Sequence, residues 1–273
     1  MESERGGGGE GGPGPDALLG APEPGQTVDR QVTPEGLEIA LVRRGSLWEV
    51  VLDGQFLMAS DCRRSEQSLA ELTLAPLAQR NDITALVAGL GMGHTLRAVL
   101  DLPGVVRVDV VEFSRAVIDW NRRYFSSLPG NRDALADPRV RLHHADLLGL
   151  LKRHRQGHLE EEPALPPVKD GWLALLLDVD NGSNWLSRPD NHAIYSDEGL
   201  GRLEAGLRPG GILGVWSAAR DVEFYRRLHA RFINVAEMAV PVEVRGKSSL
   251  DYVYRARRGA DRAAGSSKNI AQA

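Results

Sequence analysis

The stretch Leu86-Val87-Ala88-Gly89-Leu90-Gly91-Met92-Gly93-His94-Thr95 decides the fold of this 273-residue chain. An apolar run of strand type ends in glycines at alternating positions, and a helical pattern follows. Glycine lets the backbone turn sharply and leaves room for a ligand beside it. A strand, a glycine turn and a helix in succession are typical of nucleoside-binding units. We therefore expect Gly89, Gly91 and Gly93 to approach a nucleoside cofactor.

Each of the next three predicted strands is followed by an acid, and these acids are Glu112, Asp146 and Asp178. Glu112 comes about 20 residues after the glycines, which is the spacing expected for a carboxylate that binds both ribose hydroxyls. In open α/β sheets, ligands sit at the carboxyl ends of the strands near a topological switch point. We therefore expect the glycines and the three acids to share one site.

Alternation of strand and helix patterns predicts an α/β fold with a parallel sheet and right-handed crossovers. Strands are predicted at 83–88, 106–111, 140–144, 172–177, 212–216, 232–238 and 250–254. Helices are predicted at 65–79, 93–101, 114–126, 147–155, 197–207 and 221–231. Pro76 indicates that the first of these helices bends or ends near Ala75.

Four segments are predicted along the chain. Residues 1–26 are rich in Gly, Pro and Glu and are expected to be a disordered tail. Residues 27–62 are expected to form a small antiparallel β meander, with strands at 37–42, 47–52 and 55–59 and an Asp-Gly hairpin turn. Residues 63–257 are predicted to be the nucleoside-binding domain, and 258–273 a second disordered tail.

Composition excludes several classes of function. A formal net charge of −4 provides no basic field for nucleic acid. The single cysteine, Cys62, excludes an intrachain disulfide and a multi-cysteine metal site. No apolar run is long enough to span a bilayer, and the N-terminus has no apolar signal core. The expectation is a cytoplasmic protein with neither membrane nor nucleic-acid partners.

The chain resembles two nested families. Features that resemble the class I S-adenosylmethionine-dependent transferases are the glycine loop, Glu112, Asp146, Asp178 and the turn Leu207-Arg208-Pro209-Gly210-Gly211. The meander with its Asp53-Gly54 turn, the helix at 65–79 and the strand spacing resemble, more specifically, the spermidine synthases, or polyamine aminopropyltransferases. The resemblance covers roughly residues 47–254. It implies a Rossmann-like class I methyltransferase sheet, mostly parallel with an antiparallel last strand.

The resemblance also implies roles for single residues. Glu112 matches the acid that binds the ribose hydroxyls, and Asp146 matches the acid near the adenine amino group. Leu147 would follow under the adenine ring. Asp178 matches the acid that helps to deprotonate the attacking amine, and a nearby carboxylate is suited to take that proton.

The polar loop after the fourth core strand supplies further candidates. Asp180, two residues after Asp178, is a second acid for catalysis or amine binding, and no third ligand for a metal is evident. Asn181 and Trp185 are substrate-binding candidates because loops at strand ends carry chemistry. Glu71, on the helix before the glycine turn, is a further candidate for binding a cationic substrate.

Met92 leaves the reaction open. The family's glycine loop usually carries an Asp at this position, and that Asp binds the free amine of decarboxylated S-adenosylmethionine. The first hypothesis is aminopropyl transfer from that donor to an amine. The second is methyl transfer from S-adenosylmethionine to a small molecule, and the third is a catalytically silent nucleoside-binding or oligomerising homologue. A nicotinamide dehydrogenase is a more distant alternative. The family resemblance also predicts a homodimer formed through the meander.

Overall fold

The computed structural model describes residues 24–61, 63–159, 165–179, 191–244 and 247–260. Its strands are β1 (Gln26–Val32), β2 (Glu38–Arg44), β3 (Leu47–Leu52), β4 (Gln55–Ala59), β5 (Ile83–Ala88), β6 (Val105–Glu112), β7 (Val140–His144), β8 (Trp172–Leu177), β9 (Leu207–Ser217), β10 (Ile233–Val244) and β11 (Lys247–Arg257). Its helices are α1 (Arg64–Leu74), α2 (His94–Leu100), α3 (Arg115–Trp120), α4 (Leu147–Arg155), α5 (His192–Tyr195), α6 (Asp197–Gly206) and α7 (Val222–Arg231). Among these helices, none has the length and apolar character needed to cross a membrane.

The large sheet has seven strands in the order β10-β11-β9-β8-β5-β6-β7. Strands β5 to β9 pair in parallel, and β11 pairs antiparallel with both β9 and β10. Every residue of β5 and β8 is buried, as expected for central strands covered on both faces. The mostly parallel sheet with an antiparallel last strand is confirmed.

The order of the strands places a switch point at the centre of this sheet. From β5 the chain continues to β6 and β7 on one side and then returns to β8 on the other. The crossovers on the two sides leave a crevice at the carboxyl ends of β5 and β8, where α/β proteins of this kind bind ligands. The glycine loop follows β5, so the topology puts it at that crevice.

The N-terminal sheet has four antiparallel strands in sequential order, one more than the sequence predicted. The additional strand, β1, has a mostly exposed or half-buried pattern, so its sequence carries little apolar alternation. A carboxylate oxygen of Asp29 in β1 accepts a hydrogen bond from Nε1 of Trp120 in α3 at 2.8 Å. This contact ties the small sheet to the large one. The boundaries at residues 26, 62 and 257 stay predictions, and residues 1–23 and 261–273 lie outside the described residues.

The bend or end predicted near Ala75 is confirmed, and one other helix ends earlier than predicted. The helix at 65–79 is α-helical to Leu74, and a 3-10 turn follows that contains Pro76, which has no amide hydrogen for an α-helical bond. The helix expected over 114–126 is α-helical only to Trp120 and continues as a π-helical turn over residues 121–125. That turn shifts the side chains after it around the helix axis.

A buried polar cluster joins β6, β7 and β8 of the large sheet. The guanidinium of Arg107 donates two hydrogen bonds to Asp109, at 2.7 and 3.0 Å, and both side chains are fully buried. Asp109 also accepts from Trp172 Nε1 at 2.8 Å and contacts His143 Nε2 at 2.7 Å. Burial raises the pKa of Asp109, but the bonds from His143 and Arg107 outweigh it and hold that pKa below its usual range. The cluster therefore links β6, β7 and β8 through one carboxylate.

Candidate active site

A cavity of about 480 Å³ lies at the carboxyl ends of β5, β6 and β8. The glycine loop and the ends of these strands form one side of it. The N-terminal sheet covers the opposite side with apolar side chains, among them Ile39, Leu52, Phe56, Leu57 and Met58. The meander thus contributes a wall of the candidate site.

The glycine loop passes close to the end of β8. Gly89 has a φ of +92°, and a Cβ atom placed on it would lie 2.1 Å from the carbonyl oxygen of Asp178. Both the dihedral angle and the contact exclude a side chain at this position. Gly89 therefore brings the loop against the strand that carries the predicted catalytic acid, and Gly91 and Gly93 line the turn that follows.

Glu112 at the end of β6 is anchored across the loop. One carboxylate oxygen accepts from the backbone amide of Leu90 at 2.9 Å, and the other accepts from the amide of Ser114 at 2.6 Å. Burial raises the pKa of Glu112, and the backbone hydrogen bonds oppose that effect. Each oxygen has a second lone pair, so the fixed carboxylate still has acceptor capacity for hydroxyl groups of a ligand. Its side chain lines the cavity.

Asp146 and Leu147 lie at the start of α4 and line the same cavity. Asp146 is the N-cap of this helix, and its Oδ1 accepts from the amide of Gly149 at 2.8 Å. This bond fixes the direction of the carboxylate. Leu147 is buried and presents an apolar surface next to it. The pair can contact a planar heterocycle through one polar group and one apolar side chain.

Asp178 directly follows β8 and faces the cavity from beneath the glycine loop. The hydroxyl of Thr95, at the start of α2, donates a hydrogen bond to Asp178 Oδ2. Burial raises the pKa of Asp178 to about 6, the bond from Thr95 opposes this shift, and the charge of Glu112 adds to it. At neutral pH the group is therefore mostly ionised, with a pKa close enough to the working pH to accept a proton efficiently.

Among the other carboxyl groups that line the cavity, those of Glu66 and Asp251 lie near Asp178 and Glu66 respectively. Glu66 in α1 accepts a hydrogen bond from its neighbour Ser65 at 2.8 Å, and Asp251 in β11 accepts one from Trp216 Nε1 at 3.2 Å. Burial, and then the charge of Asp178, raise the pKa of Glu66 to about 8. Three acids from three separate elements thus converge at this end of the cavity.

Glu71 was the acid chosen from α1 at the sequence level, and the structure places it elsewhere. It is exposed, and the cavity is lined by Glu66. Residues five apart on an α-helix point in directions that differ by about 140°, so the two acids of α1 cannot share a face.

Met92 and His94 complete the turn. Met92 is buried and lines the cavity, at the position where the family resemblance implies an Asp. His94 is also buried in the cavity wall. Burial lowers the pKa of His94, so its ring is neutral at pH 7.

Three candidates lie outside the described residues: Asp180, Asn181 and Trp185. Their roles in catalysis and substrate binding stay predictions. Within the described part of the chain, no group of three or more His, Cys, Asp or Glu side chains is arranged to hold a metal ion.

Comparisons with known proteins find a family domain and relatives that overlap this site. Residues 69–160 match the spermine/spermidine synthase domain. The polyamine aminopropyltransferase of Mycobacterium tuberculosis (strain ATCC 25618 / H37Rv) is 29% identical over 179 residues, which are 65% of this chain and 30% of that protein. Putrescine N-methyltransferase 3 of Nicotiana tabacum is 30% identical over 95 residues, which are 33% of this chain and 24% of that protein. The chain spans less than a third of the length of these two relatives.

The crystal structure of spermidine synthase from Thermotoga maritima has the same fold. It matches with a TM-score of 0.64 and 17% identity, over 86% of this chain and 74% of that one. The chain is similar to the spermidine synthases. The family resemblance noted in the sequence is thereby confirmed, as is the class I fold.

The matched domain covers only part of the site. The glycine loop, Glu112 and Asp146 lie within residues 69–160, whereas Asp178 and Asp251 lie beyond them. The end of the cavity formed by the glycine loop, Glu112 and Asp146 is thus the part that the family domain covers.

Proposed function

We propose that this chain transfers an aminopropyl group from decarboxylated S-adenosylmethionine to a small amine acceptor. The observation that carries the proposal is the position of Asp178. Its carboxyl group, with a pKa of about 6, opens into the same cavity as the glycine loop and Glu112. The related polyamine aminopropyltransferase supports the same reaction class.

The residues divide the work between the two ends of the cavity. Glu112 would bind the ribose hydroxyls, and Asp146 with Leu147 would hold the adenine. The donor supplies a carbon next to a sulfonium centre, and the departing product is a neutral thioether, 5′-methylthioadenosine. Asp178 would take the proton from the acceptor ammonium, so that the nitrogen lone pair is free to form the new C–N bond as the C–S bond breaks.

The carboxyl groups near Asp178 support a cationic acceptor. A di- or polyamine loses hydration when it enters a cavity, and carboxylates must offset that loss. Glu66 and Asp251 are placed to do so in the described part of the cavity. Asp180 is a further candidate on sequence grounds.

Methyl transfer from S-adenosylmethionine is the second candidate, and Met92 favours it. A thioether side chain provides no charge to hold the amine of the decarboxylated donor. The similarity to a putrescine N-methyltransferase is consistent with this reaction.

Binding and product analysis distinguish the two candidates. S-adenosylmethionine and its decarboxylated form are titrated side by side by calorimetry, and each is then incubated with the protein and putrescine or spermidine. Preference for the decarboxylated donor, with release of 5′-methylthioadenosine, is the expected result. Preference for the intact donor, with release of S-adenosylhomocysteine, would replace aminopropyl by methyl transfer. Binding of neither would reject both reactions.

A further inference from the structure

Two buried asparagines hold the carbonyl groups of the glycine loop. Nδ2 of Asn121 donates a hydrogen bond to the carbonyl oxygen of Gly91 at 2.7 Å. Nδ2 of Asn131 donates to the carbonyl oxygen of Met92 at 2.9 Å. The two asparagines are only 2% and 1% exposed, and neither lines the cavity. They therefore contact the loop from behind.

The two side chains also bind each other and their own elements. Nδ2 of Asn131 donates to Oδ1 of Asn121 at 2.8 Å, and its Oδ1 accepts from the amide of Ala134 at 2.8 Å. Asn121 opens the π-helical turn and donates to the carbonyl of Val117 at 2.9 Å. Because these bonds fix which amide end is the donor, both side chains are held in one orientation. We call Asn121 and Asn131 the asparagine clamp.

The clamp sets the direction of a backbone amide in the loop. In a trans peptide unit the carbonyl and the following N–H point in opposite directions. Holding the Gly91 carbonyl on Asn121 therefore turns the Met92 amide away from the clamp. Neither the Gly91 nor the Met92 amide donates to a backbone carbonyl within the described residues. Amides fixed in this way are ready to bind an acceptor atom without reorganisation.

Gly93 is fitted to the clamp as well. It has a φ of +82°, and a Cβ atom placed on it would lie 2.3 Å from Nδ2 of Asn131. The third glycine of the loop is thus required by the asparagine behind it. The contact with Asn131 thus requires glycine at position 93 whether or not a ligand approaches the loop from the cavity side.

We propose that Asn121 and Asn131 are positioning residues, which hold the glycine loop in its nucleoside-binding shape and so set donor affinity without touching the donor. The inference rests on the proposed nucleoside site and adds two residues behind it. Without the clamp, carbonyls of the loop lose buried partners and the loop is free to rearrange.

The test measures affinity and folding separately. Asn121→Ala, Asn131→Ala and the double variant are titrated with 5′-methylthioadenosine and with S-adenosylmethionine at 25 °C, and their thermal unfolding is recorded. Thr84→Val is the matched control, because Thr84 is a buried polar residue of β5 whose hydroxyl accepts from Leu173 N at 3.2 Å, away from the loop. Asn131→Asp is a second variant that keeps the acceptor for Ala134 and removes the donors.

We expect each clamp variant to bind the nucleosides roughly tenfold or more weakly while Thr84→Val binds like the wild type at a similar loss of thermal stability. The double variant should lose less affinity than the product of the two single losses, because the asparagines share one contact. Folded clamp variants with wild-type affinity would overturn the inference and leave the proposed function intact. A wild-type protein that binds neither nucleoside would overturn the proposed function itself.

Discussion

Replacing Gly89 by alanine tests the link between the glycine loop and Asp178. Two costs add at this position. A φ of +92° is unfavourable for any residue with a Cβ atom, at roughly 1–2 kcal/mol. The Cβ atom would also lie 2.1 Å from the backbone carbonyl oxygen of Asp178, where real Cβ contacts stay beyond 3.0 Å. The ends of β5 and β8 must therefore separate by nearly 1 Å.

The separation of the two strand ends adds an overpacking cost of roughly 1–3 kcal/mol, because the contact is with backbone and no side chain can rotate away. The expected loss of stability for Gly89→Ala is thus roughly 2–5 kcal/mol. For a domain of this size, that loss lowers the melting temperature by roughly 10 °C. Asp178 moves with its carbonyl, so we also expect nucleoside binding and turnover to be lost in the folded fraction.

Gly210→Ala is the matched control for this prediction. Gly210 has a φ of +77°, lies in β9 of the same sheet, and has nothing within 4 Å of the position of a Cβ atom. Its substitution measures the dihedral cost without the contact. Urea unfolding of both variants gives the difference directly. Equal destabilisation by the two substitutions would refute the close approach of the loop to Asp178.

Four other predictions concern the site and the buried polar cluster around Asp109. Asp178→Asn should lower turnover by roughly 100-fold or more with donor affinity nearly unchanged, because only proton acceptance is lost. Steady-state kinetics measures the turnover, with Asp170→Asn as a control at an exposed residue. Unaltered turnover would remove Asp178 from the mechanism. Glu112→Ala should weaken nucleoside binding by roughly 1–3 kcal/mol in calorimetry, and an unchanged affinity would mean that the ribose is held elsewhere. Because the pKa of Glu66 is raised from its ordinary value to about 8, its carboxyl group is mostly neutral at pH 7 and charged above pH 8. The affinity for a diamine should therefore rise as the pH increases from 7 to 9, and Glu66→Gln should flatten this rise. An equally steep rise in that variant would exclude Glu66 as its source. Asp109→Ala should lower the free energy of unfolding, measured in urea, by about 3–5 kcal/mol, because it removes the ion pair of the fully buried Arg107. A decrease below about 1 kcal/mol would show that the cluster is dispensable for stability.

Much of the nucleoside end of the site could be read from the sequence. The pattern of glycines directly after a buried strand and an acid after each of the next strands indicates a shared site. It does so because parallel strands bring their carboxyl ends to one edge of the sheet. Glu112, Asp146 and Asp178 do line one cavity. Periodicity also placed the bounds of β5, β7, β8 and α4, whose patterns are short and unbroken.

Predictions failed where a pattern was weak or where the backbone departed from regular geometry. β1 was missed because it is half exposed and has few apolar residues. The π-helical turn after Trp120 was read as a continued α-helix because its residues keep helical propensity. Glu71 was preferred to Glu66 because the side of α1 that meets the cavity depends on how the helix packs against the sheet.

The sequence by itself determined the α/β fold, the glycine loop and the order of acids along the strands, because these depend on local periodicity and on the conformational range of glycine. Only the tertiary structure decided which acids meet. Glu66 and Asp251 are 185 residues apart in the chain, and the N-terminal sheet that covers them precedes the whole domain. The asparagine clamp belongs to the same class of feature: whether a buried amide meets a loop carbonyl depends on packing between elements, which no periodicity along the chain records.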